Sequence, residues 1–356
     1  MLGDNARVNT TIVVSTAAAL VAAAVVTTWW QRRRRESGRM PTKWRRVGEL
    51  AELRIYPLKS GAALTLKEAE CTDIGVRTTG DEAVKLRDRF FIVINEAGVM
   101  KTCRQHPKLF FIKVASGEAG TVIFRAPDMK DLTVRIPSGT PERKNYFEMW
   151  KEEKSESVDC GDEAAEWMHK FLNLKEDDKV RLGYHQEDVI PRRDCDKKPW
   201  SLFRKQYNRL MRYDTGAFSD MAPYLLINEA SVSDMNSRIP SGKQVAPSWF
   251  RPNFVVRGAS PLAEDDWNYI KIGDNAVFQN FKPCLRCVVT TMDPETAVKD
   301  PQMQPLKTLR GYRLLKDAKK QQLEGELAPA MGCYMGLRQS GTVRVGDPIY
   351  VGERAR

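Results

Sequence analysis

The stretch FKPCLRCVVTTMDPETA, residues 281–297, contains a closely spaced cysteine pair, Cys284 and Cys287, with Arg286 between them. A proline precedes the pair. The run VVTTM follows it, and its apolar and β-branched residues predict that the segment continues as a strand. Four interpretations of the pair are open. The cysteines are part of a zinc site, a thioredoxin-type redox couple, two unreactive thiols in a core, or one metal-binding cysteine beside a second that does not bind the metal.

A closed zinc site and a redox couple both need surroundings that the sequence does not offer. Structural zinc takes four ligands, typically from two paired sets, whereas this chain has one close pair and three scattered histidines. A thioredoxin-type pair begins a helix, whereas a strand is predicted here. The interpretation as two unreactive thiols in a core remains open, because free cysteine behaves as a small apolar residue. A single thiolate that binds a transition metal, with the other ligands supplied by a cofactor, also remains open.

The single-ligand interpretation predicts anion-binding groups elsewhere, since such cofactors usually carry phosphate. Candidate groups lie beside predicted strands: Lys59 and Ser60 in RIYPLKSG, Arg87 and Arg89 in KLRDRFF, Arg251 and Asn253 in SWFRPNFVV, and Arg286 itself. Arginine presents a fixed fork of donors suited to phosphate, and lysine adds a point charge. Each group alone is typical of a solvated surface charge. Their common position at strand ends with Pro or Gly nearby favours an anion site.

Short strands separated by turns dominate both halves of the chain. Hairpins are predicted over residues 89–102 and 109–127, and the clearest helix over residues 161–174, where GDEAAEWMHKFLNL places apolar residues on one face. No alternating βαβ pattern and no GxGxxG motif occurs, which argues against a Rossmann nucleotide domain. The fold class expected is α+β, β-rich, with barrel-like antiparallel sheets and a few helices.

The N-terminal segment is predicted to be a membrane anchor. No charged residue occurs from Val8 to Gln31, and the segment is mostly apolar. About 20 such residues cross a hydrocarbon core as a helix. Trp29 and Trp30 suit the interface, and the basic run that follows indicates a body that faces the cytosol. A cleaved signal peptide is the alternative. An anchor of this kind suits the outer mitochondrial membrane, with the endoplasmic reticulum as the alternative.

The charge and the cysteine content limit the class of protein. Residues 32–47 carry eight basic residues and one acidic residue, which accounts for seven of the eleven net positive charges. Because the rest of the chain is nearly balanced, we expect no nucleic-acid partner. The seven cysteines do not form a disulfide framework, which suits a reducing compartment. The expected organisation is an anchor with its basic flank over 1–35, a linker over 36–47, and two domains over 48–185 and 186–356.

Five segments, IYPLKSG, LRDRFFIVI, FRPNFVV, PCLRCVVTTMDPETA and TVRVGDPIYV, occur in an order and at spacings that resemble one family. They are similar to MOSC-domain proteins with an N-terminal MOSC-associated β-barrel domain. With the anchor, the resemblance narrows to the mitochondrial amidoxime-reducing components, and it covers about residues 48–352. It implies that 48–185 is the β-barrel domain and 186–356 the MOSC domain. The chain departs from many relatives at Gly61, where they have Cys, and in the inserted segment DEAVK.

The resemblance implies a molybdenum cofactor, a phosphorylated pterin whose dithiolene holds molybdenum. By this resemblance Cys287 is the protein ligand to the metal and Cys284 is not. Four further residues match positions that hold the pterin and its phosphate: Lys59, Ser60, Arg89 and Arg251. Asn253 and Arg286 belong to the same cofactor-binding motifs and shape the pocket.

The reaction implied is the reduction of N-hydroxylated compounds, such as amidoximes and hydroxylamines, to amidines or amines and water. Two electrons and two protons balance it. The sequence shows no flavin, haem or iron–sulfur motif, so the resemblance implies an external donor, cytochrome b5, which an NADH-dependent reductase reduces. The basic segment 192–212, with Lys197, Lys198, Arg204, Lys205 and Arg209, is either a docking surface for that donor or a solvated face.

Two questions stay open in the sequence. Asp220 and Asp293 are candidate proton donors, although carboxylates in such places more often cap turns. The alternative functions are a sulfur-handling MOSC protein, which normally carries a fused pyridoxal-phosphate domain, and a membrane-tethered protein that binds the cofactor without turnover.

Overall fold

The computed structural model describes residues 40–118, 120–150 and 152–353. The strands in these residues are β1 (Trp44–Ile55), β2 (Leu64–Leu66), β3 (Glu68–Thr72), β4 (Gly75–Thr78), β5 (Phe91–Asn95), β6 (Lys113–Ser116), β7 (Thr121–Arg125), β8 (Leu132–Arg135), β9 (Lys144–Glu148), β10 (Lys154–Asp159), β11 (Val180–Tyr184), β12 (Tyr224–Asn228), β13 (Phe254–Arg257), β14 (Tyr269–Ile272), β15 (Ala276–Leu285), β16 (Ala330–Gln339), β17 (Gly341–Arg344) and β18 (Pro348–Gly352). The α-helices are α1 (Asp162–Leu172), α2 (Trp200–Gln206), α3 (Glu229–Ser237), α4 (Leu306–Arg310) and α5 (Ala318–Glu324). Short 3₁₀ turns cover Pro107–Phe111, Pro247–Phe250, Ala263–Asp265 and Val288–Thr291.

Seven strands close into a barrel. They pair in the order β13, β12, β16, β15, β14, β18 and β1, and the pairing of β1 with β13 completes the ring. All of these pairs are antiparallel except β12 with β13. Tyr224, Phe254 and Phe278 contribute fully buried rings to the core, with centroids 4.9–5.7 Å apart. Because the ring closes, its strands pair on both sides, which removes the exposed edges of an open sheet.

The first strand belongs to a barrel whose other six strands lie within residues 224–352. β1 pairs with β13 through Leu53 and Phe254, and with β18 through Arg46 and Tyr350. It begins at Trp44, within the segment predicted as a linker. The predicted boundaries 48–185 and 186–356 therefore describe a division of the sequence, whereas the barrel takes strands from both parts.

Three smaller sheets lie outside the barrel. Their strand orders are β5-β11-β10-β9, β17-β3-β4 and β6-β7-β8. The predicted hairpin over 109–127 is confirmed as β6 and β7, and the hairpin over 89–102 consists of β5 and a single bridge from Ile94 to Met100. The predicted helix is α1, where Trp167 packs in the core and donates from its ring nitrogen to the carbonyl of Lys130 at 2.8 Å.

The α+β, β-rich, barrel-like class is confirmed, but the strand predicted after the cysteine pair is wrong. β15 ends at Leu285, and residues Val288–Thr291 form a 3₁₀ turn. The backbone N–H and the hydroxyl of Thr290 both donate to the carbonyl of Cys287, at 3.1 and 2.9 Å. These bonds fold the chain back on itself at the point where strand pairing stops.

The part of the chain that the structure describes has no helix long and apolar enough to span a bilayer. The predicted anchor, residues 8–31, lies outside the described residues.

Candidate active site

The residues predicted for the site line one cleft. It is about 840 Å³ in volume, including its open mouth. Its walls include all seven predicted residues, namely Lys59, Ser60, Arg89, Arg251, Asn253, Arg286 and Cys287. Three come from the loops between β1 and β5, and four from the segments around β13 and after β15. The fold therefore brings together groups that are more than 200 positions apart in the sequence.

The two cysteines of the pair differ in exposure. Cys287 is exposed, whereas Cys284 is only 2% exposed, and its thiol lies 3.8 Å from the carbonyl of Leu285. The pKa of the Cys287 thiol is raised by its partial enclosure, against which a hydrogen bond from the backbone N–H of Val289 acts. Burial also raises the pKa of Cys284. Both cysteines line the cleft, and Cys287 is the more accessible of the two thiols.

Three residues of the cleft have a left-handed backbone. The φ angles are 68° at Ser60, 54° at Arg89 and 55° at Arg251. Non-glycine residues rarely adopt this region, and such strain concentrates at functional sites. The shared conformation turns each residue sharply at the end of a strand or turn, which directs three predicted cofactor-binding groups at one cleft.

Two arginines enclose the ring of Tyr56. The guanidinium carbon of Arg89 lies 4.5 Å from the ring centroid and that of Arg251 lies 4.2 Å from it. Arg89 pairs with the buried Asp88 and donates to the carbonyl of Arg251 at 3.1 Å, while Arg251 donates to the carbonyl of Gly61 at 2.9 Å. Burial lowers the pKa of Arg251, and the charge of Arg89 lowers it further. Asp88 is thus the one carboxylate beside the two guanidinium groups of Arg89 and Arg251, which leaves positive charge for an anion to neutralise.

Lys59 lies at the same wall and forms an ion pair with Asp220. Its ammonium donates to Asp220 Oδ1 at 2.6 Å and to the carbonyl of Phe218 at 2.9 Å. The Asp220 side chain is 54% exposed and opens into the cleft. Enclosure opposes ionisation of this carboxyl, but the charge and hydrogen bond of Lys59 outweigh it and hold the pKa of Asp220 well below its usual range. Asp220 is therefore a carboxylate at neutral pH.

Arg286 and Asn253 use their polar groups on the protein backbone. Arg286 donates to the carbonyls of Met331 and Phe250, at 2.8 and 3.0 Å, and its second terminal nitrogen also reaches Met331. The Asn253 side chain accepts from the N–H of Leu225 at 3.1 Å and donates to the carbonyl of Arg54 at 3.2 Å. These bonds join both side chains to backbone segments in and around the cleft wall.

Comparison with known proteins assigns the chain to a family. Two family models match it: the MOSC N-terminal beta barrel domain over residues 47–175 and the MOSC domain over 214–350. Mitochondrial amidoxime-reducing component 1 of Mus musculus is 39% identical over 315 residues, 88% of this chain and 85% of that protein. This chain belongs to the family of mitochondrial amidoxime-reducing components. Component 1 of Homo sapiens is 37% identical and component 2 of Homo sapiens 36% identical, covering 87% and 88% of this chain and 86% of each protein.

In this member of the amidoxime-reducing component family, the cleft also contains residues that the sequence did not predict, among them Thr102, Cys103, Arg104, Ser219 and Tyr334. Thr102, Cys103 and Arg104 come from one loop after β5. No motif marks this loop, so the sequence offered no signal for it.

Two residues considered from the sequence lie elsewhere. Arg87 pairs with Glu187 and is absent from the cleft lining. Asp293 accepts from the N–H of Glu295 at 2.8 Å and so caps a turn.

The predicted docking segment is partly neutralised. Arg204 pairs with Asp196, and Arg209 donates to the carbonyl of Asn280 at 3.4 Å. Lys197, Lys198 and Lys205 are exposed, and their ammonium groups form no ion pair within the described residues. Lys197 and Lys198, just before α2, and Lys205, near its end, therefore carry positive charge that no ion pair within the described residues neutralises.

Proposed function

We propose that this protein is a molybdenum-cofactor-dependent reductase that converts amidoximes, hydroxylamines and related N-hydroxylated compounds to amidines or amines. The observation that carries the proposal is one exposed thiol, Cys287, in a cleft whose walls hold five cationic side chains. Membership of the amidoxime-reducing component family supports it.

The cleft fits a phosphorylated pterin cofactor. Lys59, Arg89 and Arg251 place cationic groups in the walls of the cleft, and Ser60 adds a hydroxyl. Two carboxylates pair with these cations: Asp220 with Lys59 in the cleft lining, and Asp88 with Arg89 behind it. Arginine forks and lysine are suited to phosphate. Cys287 would supply the thiolate to molybdenum, a soft ligand for a transition metal. When bound, the cofactor supplies the two-electron reduction of the N–O bond.

The residues of the chain bind and orient the substrate. The carboxylate of Asp220 keeps one oxygen on Lys59, and its other oxygen can accept from an N–H of the substrate. Because the pKa of Asp220 is well below its usual range, this carboxyl carries no proton at neutral pH and is not the proton donor. We assign it the role of orienting the substrate, and the protons consumed are delivered from water or from other groups.

The test compares the two cysteines. The protein and its Cys287→Ser and Cys284→Ser variants are produced in cells that make molybdenum cofactor. The molybdenum content of each protein is then measured by mass spectrometry. Its reductase activity is measured with benzamidoxime as the substrate. Loss of activity in Cys287→Ser, with activity largely retained in Cys284→Ser, is the expected result. Zinc in place of molybdenum, lost equally in both variants, would return the pair to a structural role.

We propose that cytochrome b5, reduced by its NADH-dependent reductase, is the electron donor. The free ammonium groups of Lys197, Lys198 and Lys205 support a partner with an acidic surface. Changing Lys197 and Lys198 together to Glu should slow cytochrome-driven turnover at low ionic strength while the molybdenum content stays the same. Unchanged turnover would place the donor on another surface.

We propose that residues 8–31 anchor the protein in the outer mitochondrial membrane with its body in the cytosol. The word mitochondrial in the names of the relatives supports the organelle, and the basic run after the apolar segment supports the orientation. Protease added to intact mitochondria should digest the body of the protein. Protection from protease, or recovery with endoplasmic reticulum membranes, would contradict this location.

A further inference from the structure

Arg104 differs from the other cations of the cleft because its guanidinium has no hydrogen bond or ion pair within the described residues. Arg89 and Arg251 donate to backbone carbonyls, Arg286 donates to Phe250 and Met331, and Lys59 pairs with Asp220. Arg104 is also exposed, whereas Lys59 and Arg286 are each 6% exposed. Its donors are therefore available to a ligand that enters from solvent.

An aromatic ring holds Arg104 in position. The guanidinium carbon lies 5.2 Å from the ring centroid of Trp150. Trp150 is itself half-buried and packs against two clusters of buried side chains, so the ring is a fixed support. An arginine that stacks on an aromatic ring loses less conformational entropy when it binds an anion than a freely moving one.

The cleft that Arg104 lines also contains the two groups assigned to the proposed reaction, Asp220 and Cys287. Arg104, Asp220 and Cys287 line one cleft. An exposed carboxylate and an exposed guanidinium in one mouth complement a molecule with an N–H group at one end and an anionic group at the other.

We propose that Arg104 is a specificity-determining residue that binds a carboxylate on the N-hydroxylated substrate, so that the cleft favours substrates with an acidic substituent. The inference rests on the proposed function and names its substrate class. Lys59, Arg89 and Arg251 serve the phosphate of the cofactor, while Arg104 at the mouth serves the substrate. Arg104 takes no part in the bond changes.

The test compares 4-carboxybenzamidoxime with benzamidoxime in the cofactor-loaded protein. Arg104→Gln should raise the KM for the carboxylated substrate by about tenfold to a hundredfold, the range expected for a hydrogen bond between charged groups. It should leave kcat, and both constants for benzamidoxime, within about twofold. Arg104→Lys should recover part of the loss. Lys108→Gln removes an exposed charge four positions along the chain that is absent from the cleft lining, so it is the matched control and should change the constants for neither substrate.

Binding and metal content give readouts that do not depend on turnover. Calorimetry with 4-carboxybenzamidine and benzamidine should show a preference for the carboxylated compound that Arg104→Gln abolishes and that added salt weakens. Molybdenum content should be the same in all variants. Reduced molybdenum in Arg104→Gln would assign the residue to the cofactor phosphate and overturn the inference, and so would equal losses with both substrates. If the parent protein fails to reduce benzamidoxime at all while binding still discriminates, the proposed function fails and the anion site remains.

Discussion

Ser60, Arg89 and Arg251 each hold a backbone conformation that costs about 1–2 kcal/mol for a residue with a side chain. Three such residues around one cleft lower the stability of the fold, and in return their backbone conformation directs the side chains toward the cleft. The sequence identified these residues by type and neighbourhood, because Lys, Ser and Arg beside strand ends suit phosphate. It could not predict their φ angles, since the surrounding contacts impose the conformation against the preference of Ser and Arg.

Ser60→Gly should therefore separate stability from binding. Glycine tolerates a φ of 68° without strain, so the cofactor-free protein should gain about 1 kcal/mol in its free energy of unfolding. Loss of the hydroxyl should lower the molybdenum retained after purification. Urea unfolding and metal analysis measure the two effects. Asp128→Gly is the matched control, because Asp128 also has a positive φ of 58° but lies on an exposed loop, and it should raise stability alone. Equal molybdenum in both variants would remove Ser60 from the cofactor site.

A buried histidine should make the protein sensitive to acid. Burial between Phe90 and Phe218, with further effects from Arg87, Arg193 and Arg192, lowers the pKa of His185 to about 3. In the unfolded chain the pKa is about 6.5. Between these values the unfolded state binds more protons, so this group makes the free energy of unfolding fall as the pH falls below about 6.5, by up to about 1.4 kcal/mol per pH unit.

Urea unfolding at several pH values checks the effect of His185. His185→Gln cannot gain this proton, so its stability should fall less steeply between about pH 6.5 and pH 4 than that of the parent. The difference between the two slopes isolates the histidine from the carboxylates, which titrate in both proteins. Parallel curves would show that His185 is protonated in the folded state over this range.

At the scale of elements, the sequence predicted the long amphipathic helix α1 and the β6–β7 hairpin, because their periodicity extends over enough residues. It was wrong about VVTTM, because a run of five residues, three of them apolar, is compatible with either a strand or a turn. Two hydrogen bonds from Thr290 to the carbonyl of Cys287 decide between them, and periodicity does not show such bonds. The short helices α2 and α5 were likewise not predicted, since seven residues are too few for a helical period to be recognised.

A buried ion pair joins the helix α5 to the barrel strand β15. Lys282 on β15 pairs with Glu324 at 2.5 Å, and the two side chains are 4% and 7% exposed. Rings of Phe203, Tyr207 and Tyr334 surround the ammonium, with centroids 5.2–5.6 Å away. Apart from this pair, the residues of α5 bury little surface.

Removing one partner of this pair should be costly. Glu324→Gln leaves the ammonium of Lys282 buried without its carboxylate and should reduce the free energy of unfolding by about 3–5 kcal/mol. The double change Lys282→Met with Glu324→Leu should recover most of that loss, because two apolar groups replace the pair. The exposed pair Arg125–Asp131 is the control, and Asp131→Asn should cost less than about 1 kcal/mol. A double variant no more stable than Glu324→Gln would show that the pair contributes more than it costs to bury.

At the scale of the molecule, the predicted site is divided between the two ends of the chain. Lys59, Ser60 and Arg89 precede residue 186, whereas Arg251 and Cys287 follow it. The sequence predicted that these groups meet because they matched the motifs of one family, and the cleft contains all of them. It did not predict that β1 closes the barrel, since pairing between strands some 200 residues apart leaves no local pattern.

This topology predicts that the second sequence domain does not fold alone. A fragment of residues 186–356 lacks β1, whose Leu50, Leu53 and Ile55 are fully buried, and it leaves β13 and β18 without their shared neighbour. The open barrel would expose apolar surface and unpaired strand edges, which promote aggregation. We expect no cooperative urea transition for this fragment and a single cooperative transition for residues 40–356. Co-expression of residues 40–185 should restore solubility by supplying β1. A soluble 186–356 fragment with its own cooperative transition would show instead that six strands suffice, and that β1 is an addition to the barrel and not one of the strands on which its stability depends.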